Sequence, residues 1–212
     1  LGEWALRTAC RQVRAWQDAG LPPVRVSVNV SARQFHDDRL LQTVAAALAE
    51  SGLEPERLEL EITESMLMKD AEGASATLFA LKAMGVRLAL DDFGTGYSGL
   101  SYLARLPLDT LKVDRAFVSG IVEQKSHQAI AQAILALAGG LHLRTVAEGV
   151  ETPEQLKLLR SLRCDEIQGY LASPALSAEE CAVLLAAGAS LLPTPPAVWK
   201  PRRKTERVER KN

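Results

Sequence analysis

Cysteine and histidine are scarce in this chain. The three cysteines (Cys10, Cys164, Cys181) show no C-x-x-C spacing, and the three histidines (His36, His127, His142) stand apart. That excludes a disulfide scaffold and argues against zinc held by sulfur and imidazole. The cysteines read as reduced core thiols of a cytoplasmic protein. Net charge is also small, at -1, so the molecule as a whole shows no attraction to a nucleic-acid polymer or a membrane surface. Long apolar runs are missing: none approaches the roughly 18 residues of a membrane span. The opening residues do not read as a signal peptide, and no initiator Met is present. What remains is a chain of 212 residues, 47% of them apolar. That is enough for one large domain with a sizeable core.

The stretch that organises the chain is Leu88-Ala89-Leu90-Asp91-Asp92-Phe93-Gly94-Thr95-Gly96-Tyr97-Ser98-Gly99-Leu100. An apolar strand runs into two adjacent carboxylates and then a glycine-rich loop. Like charges at a strand end repel, so a compensating charge is expected beside them. A divalent cation is the usual compensator, since hard cations take carboxylate oxygens. Other readings compete. The Asp pair can be a solvated turn. Gly94 to Gly99 fits G-x-G-x-x-G, with Asp114 about 20 residues on, but a pyrophosphate there would face Asp91 and Asp92. Asp-Phe-Gly also occurs in kinases, yet no H-R-D-type loop exists in the chain.

Periodicity predicts helices over 1–19, 37–51, 70–84, 98–105, 123–138, 152–162 and 177–187. Gly20 with Pro22-Pro23, Gly52, Gly85 and Gly139-Gly140 are the expected stops, and Ser177 with Glu180 marks a capped start. Strands are expected at 24–31, 58–62, 86–91, 110–113, 143–148 and 164–168. Strict alternation implies a parallel sheet covered by helices.

Strand side chains alternate between faces. Each of the six strands offers a polar residue near its carboxyl end: Asn29, Glu61, Asp91, Lys112, Glu148 and Gln168. A sheet with one wet face would explain this if it were antiparallel, but parallel sheets are buried on both sides. An α/β barrel resolves the conflict. Apolar residues face the outer helices, and polar residues converge at the carboxyl end, where (β/α)8 barrels carry their active sites.

Asn29, Glu61, Asp91, Asp92 and Glu148 supply only oxygen ligands, which suits Mg2+, Mn2+ or Ca2+. The number of carboxylates suits two metals sharing a bridging Asp, an arrangement that hydrolyses phosphate esters. Lys112 can hold an attacking water or neutralise phosphate charge, and Gln168 can orient that water. Glu64 either anchors the glycine loop through backbone N–H groups or serves as a plain helix-start carboxylate.

Six ordered motifs resemble the EAL-domain family of bacterial phosphodiesterases that linearise cyclic di-GMP. They are Ser27-Val-Asn29-Val-Ser31, Glu61-Ile-Thr-Glu64, Asp91-Asp92-Phe-Gly-Thr-Gly-Tyr-Ser98, Leu111-Lys112-Val-Asp114-Arg115, Ala147-Glu148-Gly-Val-Glu151-Thr152 and Gln168-Gly-Tyr170. The resemblance implies a modified (β/α)8 TIM-like barrel, incomplete at its N-terminus with about six strands visible. It implies a site holding Mg2+ or Mn2+, with Asn29, Glu61 and Asp91 on the first metal and Asp92 and Glu148 on a second bridged by Asp91. Lys112 resembles the residue that contacts the catalytic water, with Gln168 near it and Glu64 anchoring the loop. Catalytic roles thus fall to Lys112, Glu148, Gln168 and Glu64, and substrate contacts to Gln168 and Arg115. The partners it implies are cyclic di-GMP, a second copy in a homodimer, and a fused upstream sensory or GGDEF-type domain. The parent protein can be cytoplasmic or membrane-anchored.

The barrel is expected over 1–191. The Glu-Ala-Leu segment that names the family is absent, and about 190 residues fall short of the about 250 of a full barrel. Two strands, one carboxylate ligand and a substrate-binding arginine are therefore expected upstream. Gly99 stands where the family usually has serine, and Ala172-Ser-Pro-Ala175 where it has Phe-Ser-Lys-Pro. These departures keep open a non-catalytic module that binds cyclic di-GMP or a protein. Another barrel enzyme acting on a phosphorylated metabolite is a third reading. Residues 192–212 form a proline-rich tail; from Lys200 onward it has seven basic and two acidic side chains. It reads as a disordered solvated tail, with weak contact to an anionic surface as the alternative.

Overall fold

The computed structural model describes residues 1–94 and 100–188; the tail and residues 95–99 of the glycine loop, including Gly99, lie outside them. Six strands alternate with helices: β1 (Val26–Asn29), β2 (Leu58–Thr63), β3 (Arg87–Phe93), β4 (Thr110–Val113), β5 (Arg144–Glu148) and β6 (Glu166–Gln168). All neighbours pair in parallel in the order β1-β2-β3-β4-β5-β6. The sheet curls into part of a barrel. Arg25, just before β1, reaches Glu166 of β6 at 3.5 Å, so the two outer strands approach each other across the interior.

The long helices are α1 (Gly2–Asp18), α3 (Leu40–Ser51), α5 (Ala71–Ala83), α8 (Lys125–Gly140), α9 (Pro153–Ser161) and α10 (Ala178–Ala187). Leu6, Cys10 and Val13 show why α1 forms where it does. They recur at helical spacing and are buried, giving one apolar stripe against the sheet. Thr152 with Gln155 and Ser177 with Glu180 form reciprocal capping boxes at the starts of α9 and α10. The short helices α2 (Ala32–Phe35), α4 (Glu64–Lys69) and α7 (Arg115–Val118) were not expected, and α6 is described over Leu100–Leu103. Each is at most a turn or two, too short for a periodic pattern to develop.

One stop is misplaced. Helix α8 runs through Gly139 and Gly140 and closes instead at His142, whose φ is 58°. Leu143 donates to the Ala138 carbonyl at 2.9 Å and His142 to Gly139 at 3.3 Å. This is a Schellman closure with histidine at the left-handed position. Arg163 (φ 64°) closes α9 in the same way. Cys10 and Cys164 are core thiols, but Cys181 is only half-buried.

Valine, leucine and isoleucine side chains of the strands pack outward under the helices, so Leu58, Leu60, Leu88, Leu90 and Leu111 are almost fully buried. The inward positions are polar in layers. Two residues below the expected site residues on β1, β2 and β4 lie Ser27, Glu59 and Thr110. Glu59 is 3% exposed. Its carboxylate accepts the Ser27 hydroxyl at 3.0 Å and the Thr110 hydroxyl at 2.7 Å. Arg25 stands 3.4 Å away, and Glu166 pairs with both Arg25 and Arg144. One carboxylate thus ties three strands together beneath the site. Outside this layer, Asp109 and Asp165 stand just before β4 and β6. They accept backbone N–H groups of Leu88 and Thr145 and so fix the register of adjacent strands.

Removing a buried charge from such a network leaves its partners unpaired. Glu59→Ala is therefore expected to lower the unfolding free energy by about 3 kcal/mol in denaturant titration. A loss below about 0.5 kcal/mol would mean that the interior network does not hold the strands.

Candidate metal centre

The site begins with an irregularity in β3. Leu90 pairs with Leu111 and Phe93 with Val113, so Asp91 and Asp92 together face the single residue Lys112. This is a β-bulge. In a regular strand two adjacent side chains point to opposite faces. Here Asp92 takes a φ of 55°, and both carboxylates turn inward. Asp91, Asp92 and Glu148 each bring an oxygen within 4.8 Å of the others.

Lys112 sits among them, 3% exposed. Its ammonium lies 2.7 Å from Glu61, 3.2 Å from Asp91 and 2.5 Å from Glu148. Burial disfavours its charge, but the hydrogen bonds it donates to Glu148 and Glu61 outweigh that cost and raise its pKa. One cation does not balance the acids. Burial, then the charges of Asp91 and Asp114, push the Asp92 carboxyl above its ordinary range. Burial also raises Glu148, against the opposing pull of Lys112. Carboxylates that resist ionisation this way gain most from a further cation.

The remaining expected residues arrange themselves around this centre. Asn29 is opposite Glu61 in the β1–β2 register and exposed on the outer strand. Glu64 is buried, and one of its oxygens accepts the Gly94 N–H at 3.2 Å, directly after the bulge. Gln168 pairs in register with Glu148. It lines a cavity of about 520 Å3 that also reaches Glu61 and Lys112 and has Arg25, Ser27 and Glu59 at its floor. Gly169 follows because any Cβ there would meet the Val150 backbone at 2.2 Å. Arg115 is outside the cluster, exposed and paired with Glu151 at 2.8 Å. Sequence reasoning assigned no role in this site to Glu59, and weighed Asp114 only in the dinucleotide reading. Glu59 was readable as an alternating residue two positions from Glu61, while Asp114 follows β4 as the N-cap of the next helix.

The donor set fits a hard divalent cation. Asp91, Asp92 and Glu148 offer converging oxygens with no nitrogen or sulfur ligand among them, as Mg2+ or Mn2+ requires.

A curled parallel sheet with oxygen ligands at its carboxyl end is the architecture of a barrel enzyme centre. The EAL domain model matches residues 1–175, and the chain belongs to the EAL family. It is 46% identical over 180 residues to the bifunctional diguanylate cyclase/cyclic di-GMP phosphodiesterase MucR of Pseudomonas aeruginosa, covering 85% of this chain and 26% of that protein. It is 49% identical over 173 residues to the cyclic di-GMP phosphodiesterase NbdA of the same organism, covering 82% and 22%. The chain thus spans about a quarter of the length of these relatives. Among solved structures, the MucR phosphodiesterase in complex with c-di-GMP aligns with a TM-score of 0.83 over 85% of this chain and 73% of that one, at 46% identity. The EAL domain of Mycobacterium smegmatis DcpA aligns with a TM-score of 0.84 over 88% and 84%, at 42% identity.

Because Asp92 and Glu148 hold their protons to higher pH than ordinary carboxylates, protons compete with a cation for them from a higher pH than usual. Calorimetric Mn2+ affinity is expected to fall as pH drops through the carboxylate range, from about 7 to about 4, with proton release on binding at its acid end. An affinity flat across that window would remove these two carboxylates from the site.

Proposed function

We propose that this chain carries the catalytic centre of a phosphodiesterase that opens cyclic di-GMP to linear pGpG. The observation that supports it is the convergence of Asp91, Asp92 and Glu148 beside Lys112 at the carboxyl end of the barrel strands. The names of MucR and NbdA supply the substrate class.

In this reading Asn29, Glu61 and Asp91 would hold one Mg2+ or Mn2+, and Asp92 and Glu148, with Asp91, would hold a second. When bound, such ions would activate water and offset the charge of a phosphate ester. Water oxygen attacks phosphorus, the bond from phosphorus to the ribose 3′ oxygen breaks, and that oxygen leaves as a hydroxyl on taking a proton from solvent. Lys112 positions the attacking water and steadies the charge that develops on phosphate. Gln168 orients the same water from β6. Glu148 takes part as ligand and proton acceptor. Glu64 holds the loop after the bulge through Gly94. Arg115, whose guanidinium pairs with Glu151, contacts substrate phosphate.

The name of MucR joins a cyclase and a phosphodiesterase in one protein, which supports a fused GGDEF-type domain. A homodimer rests on the family resemblance alone. Among the described residues no helix is long and apolar enough to cross a membrane.

The test is hydrolysis of cyclic di-GMP with Mg2+ or Mn2+, followed by detection of pGpG. Asp91→Asn and Lys112→Ala are each expected to lower the rate on the order of 100-fold or more. Wild-type rates in either variant would contradict the proposal. Binding of cyclic di-GMP without turnover, with metal bound, would favour the non-catalytic module instead.

A further inference from the structure

Asp92 reaches the carboxylate cluster only through a left-handed backbone, with φ at 55°. A non-glycine residue keeps such a conformation when its surroundings over-determine it. One holder is polar: Glu64 accepts the Gly94 N–H. The other is apolar. A Cβ at Gly94 would stand 3.0 Å from Phe117 Cε2 and 3.1 Å from Ile134 Cδ1, so both side chains press on the backbone two residues after Asp92. Gly94 itself has φ at 99°, which fits this close approach.

Phe117 is well placed to act as that support. It belongs to α7, which starts where Asp114 accepts the Ala116 N–H at 2.8 Å. Asp114 also lies near enough to Asp92 for its charge to be felt there. The Phe117 ring is held from behind by His127, edge to face at 6.2 Å. Ile134 comes from α8, the next helix, and is buried.

We propose that Phe117 is a positioning residue for the cation site: its ring backs Gly94 and, together with the Glu64 hydrogen bond, clamps the bulge that turns Asp92 inward. The inference rests on the metal-binding reading of Asp91, Asp92 and Glu148 and adds what holds them there. Phe117 touches neither substrate nor ion; it acts through the backbone of Gly94.

The probe is Mn2+ alone, titrated calorimetrically into the wild-type chain, Phe117→Ala, Phe117→Leu and the distant core variant Leu81→Ala. Residues that support metal ligands from behind typically change affinity by 10–100-fold. Phe117→Ala is expected to weaken Mn2+ binding by about tenfold or more. Leu81→Ala should lower the melting temperature while leaving Mn2+ affinity unchanged, which separates positioning from general stability. If the alanine variant does not fold, Phe117→Leu carries the test, with an expected loss of about threefold or more. A folded Phe117 variant with wild-type affinity overturns the inference while leaving the metal site standing. A wild-type chain that binds no Mn2+ overturns the metal-binding reading and this inference with it.

Discussion

Glu61, Asp91, Asp92 and Glu148 bring four carboxylates to one end of a curled sheet, and Lys112 returns a single positive charge among them. Their mutual repulsion is the constraint that the rest of the site answers. Lys112 is kept charged by Glu148 and Glu61 despite its burial. Asp92 and Glu148 are left reluctant to ionise. A site in that condition is prepared for a cation, because the energy of assembling like charges has already been met by folding.

The fold meets that cost below and beside the cluster. Below it, Glu59 ties Ser27 and Thr110 together, so β1, β2 and β4 are fixed at the level under the reactive end. Beside it, Glu64 accepts the Gly94 N–H just after the bulge in β3, and Phe117 and Ile134 stand close against Gly94. Rigid strands and a closely packed layer give the convergent geometry that electrostatic stabilisation requires. The apolar outer face, with Leu58, Leu60, Leu88 and Leu111 under the helices, supplies the stability that lets the inner face be charged.

Much of this could be read from residues alone, for a physical reason. Period-2 alternation forces Asn29, Glu61, Lys112 and Gln168 onto faces opposite their apolar neighbours, and strict strand-helix alternation fixes the parallel order. The bulge could not be read. Nothing local distinguishes Asp91-Asp92 on two faces from Asp91-Asp92 on one, because the difference lies in their pairing with Lys112 across β4. The Gly139-Gly140 stop failed similarly: Leu143 is buried and closes the helix on the Ala138 carbonyl, with His142 rather than a glycine in the left-handed position. Glu59 was visible as an alternating residue, yet its function as a floor depends on Thr110, 51 residues away in sequence.

If the β3 bulge places Asp91 and Asp92 on the same cation site, a crystal structure of the protein grown with Mn2+ and read by anomalous scattering tests it most directly. Mn2+ peaks are expected within about 2.3 Å of carboxylate oxygens from both Asp91 and Asp92, with Glu148 joining the coordination. A Mn2+ site lacking Asp92, with that side chain turned to the helix-facing side of the sheet, would contradict it.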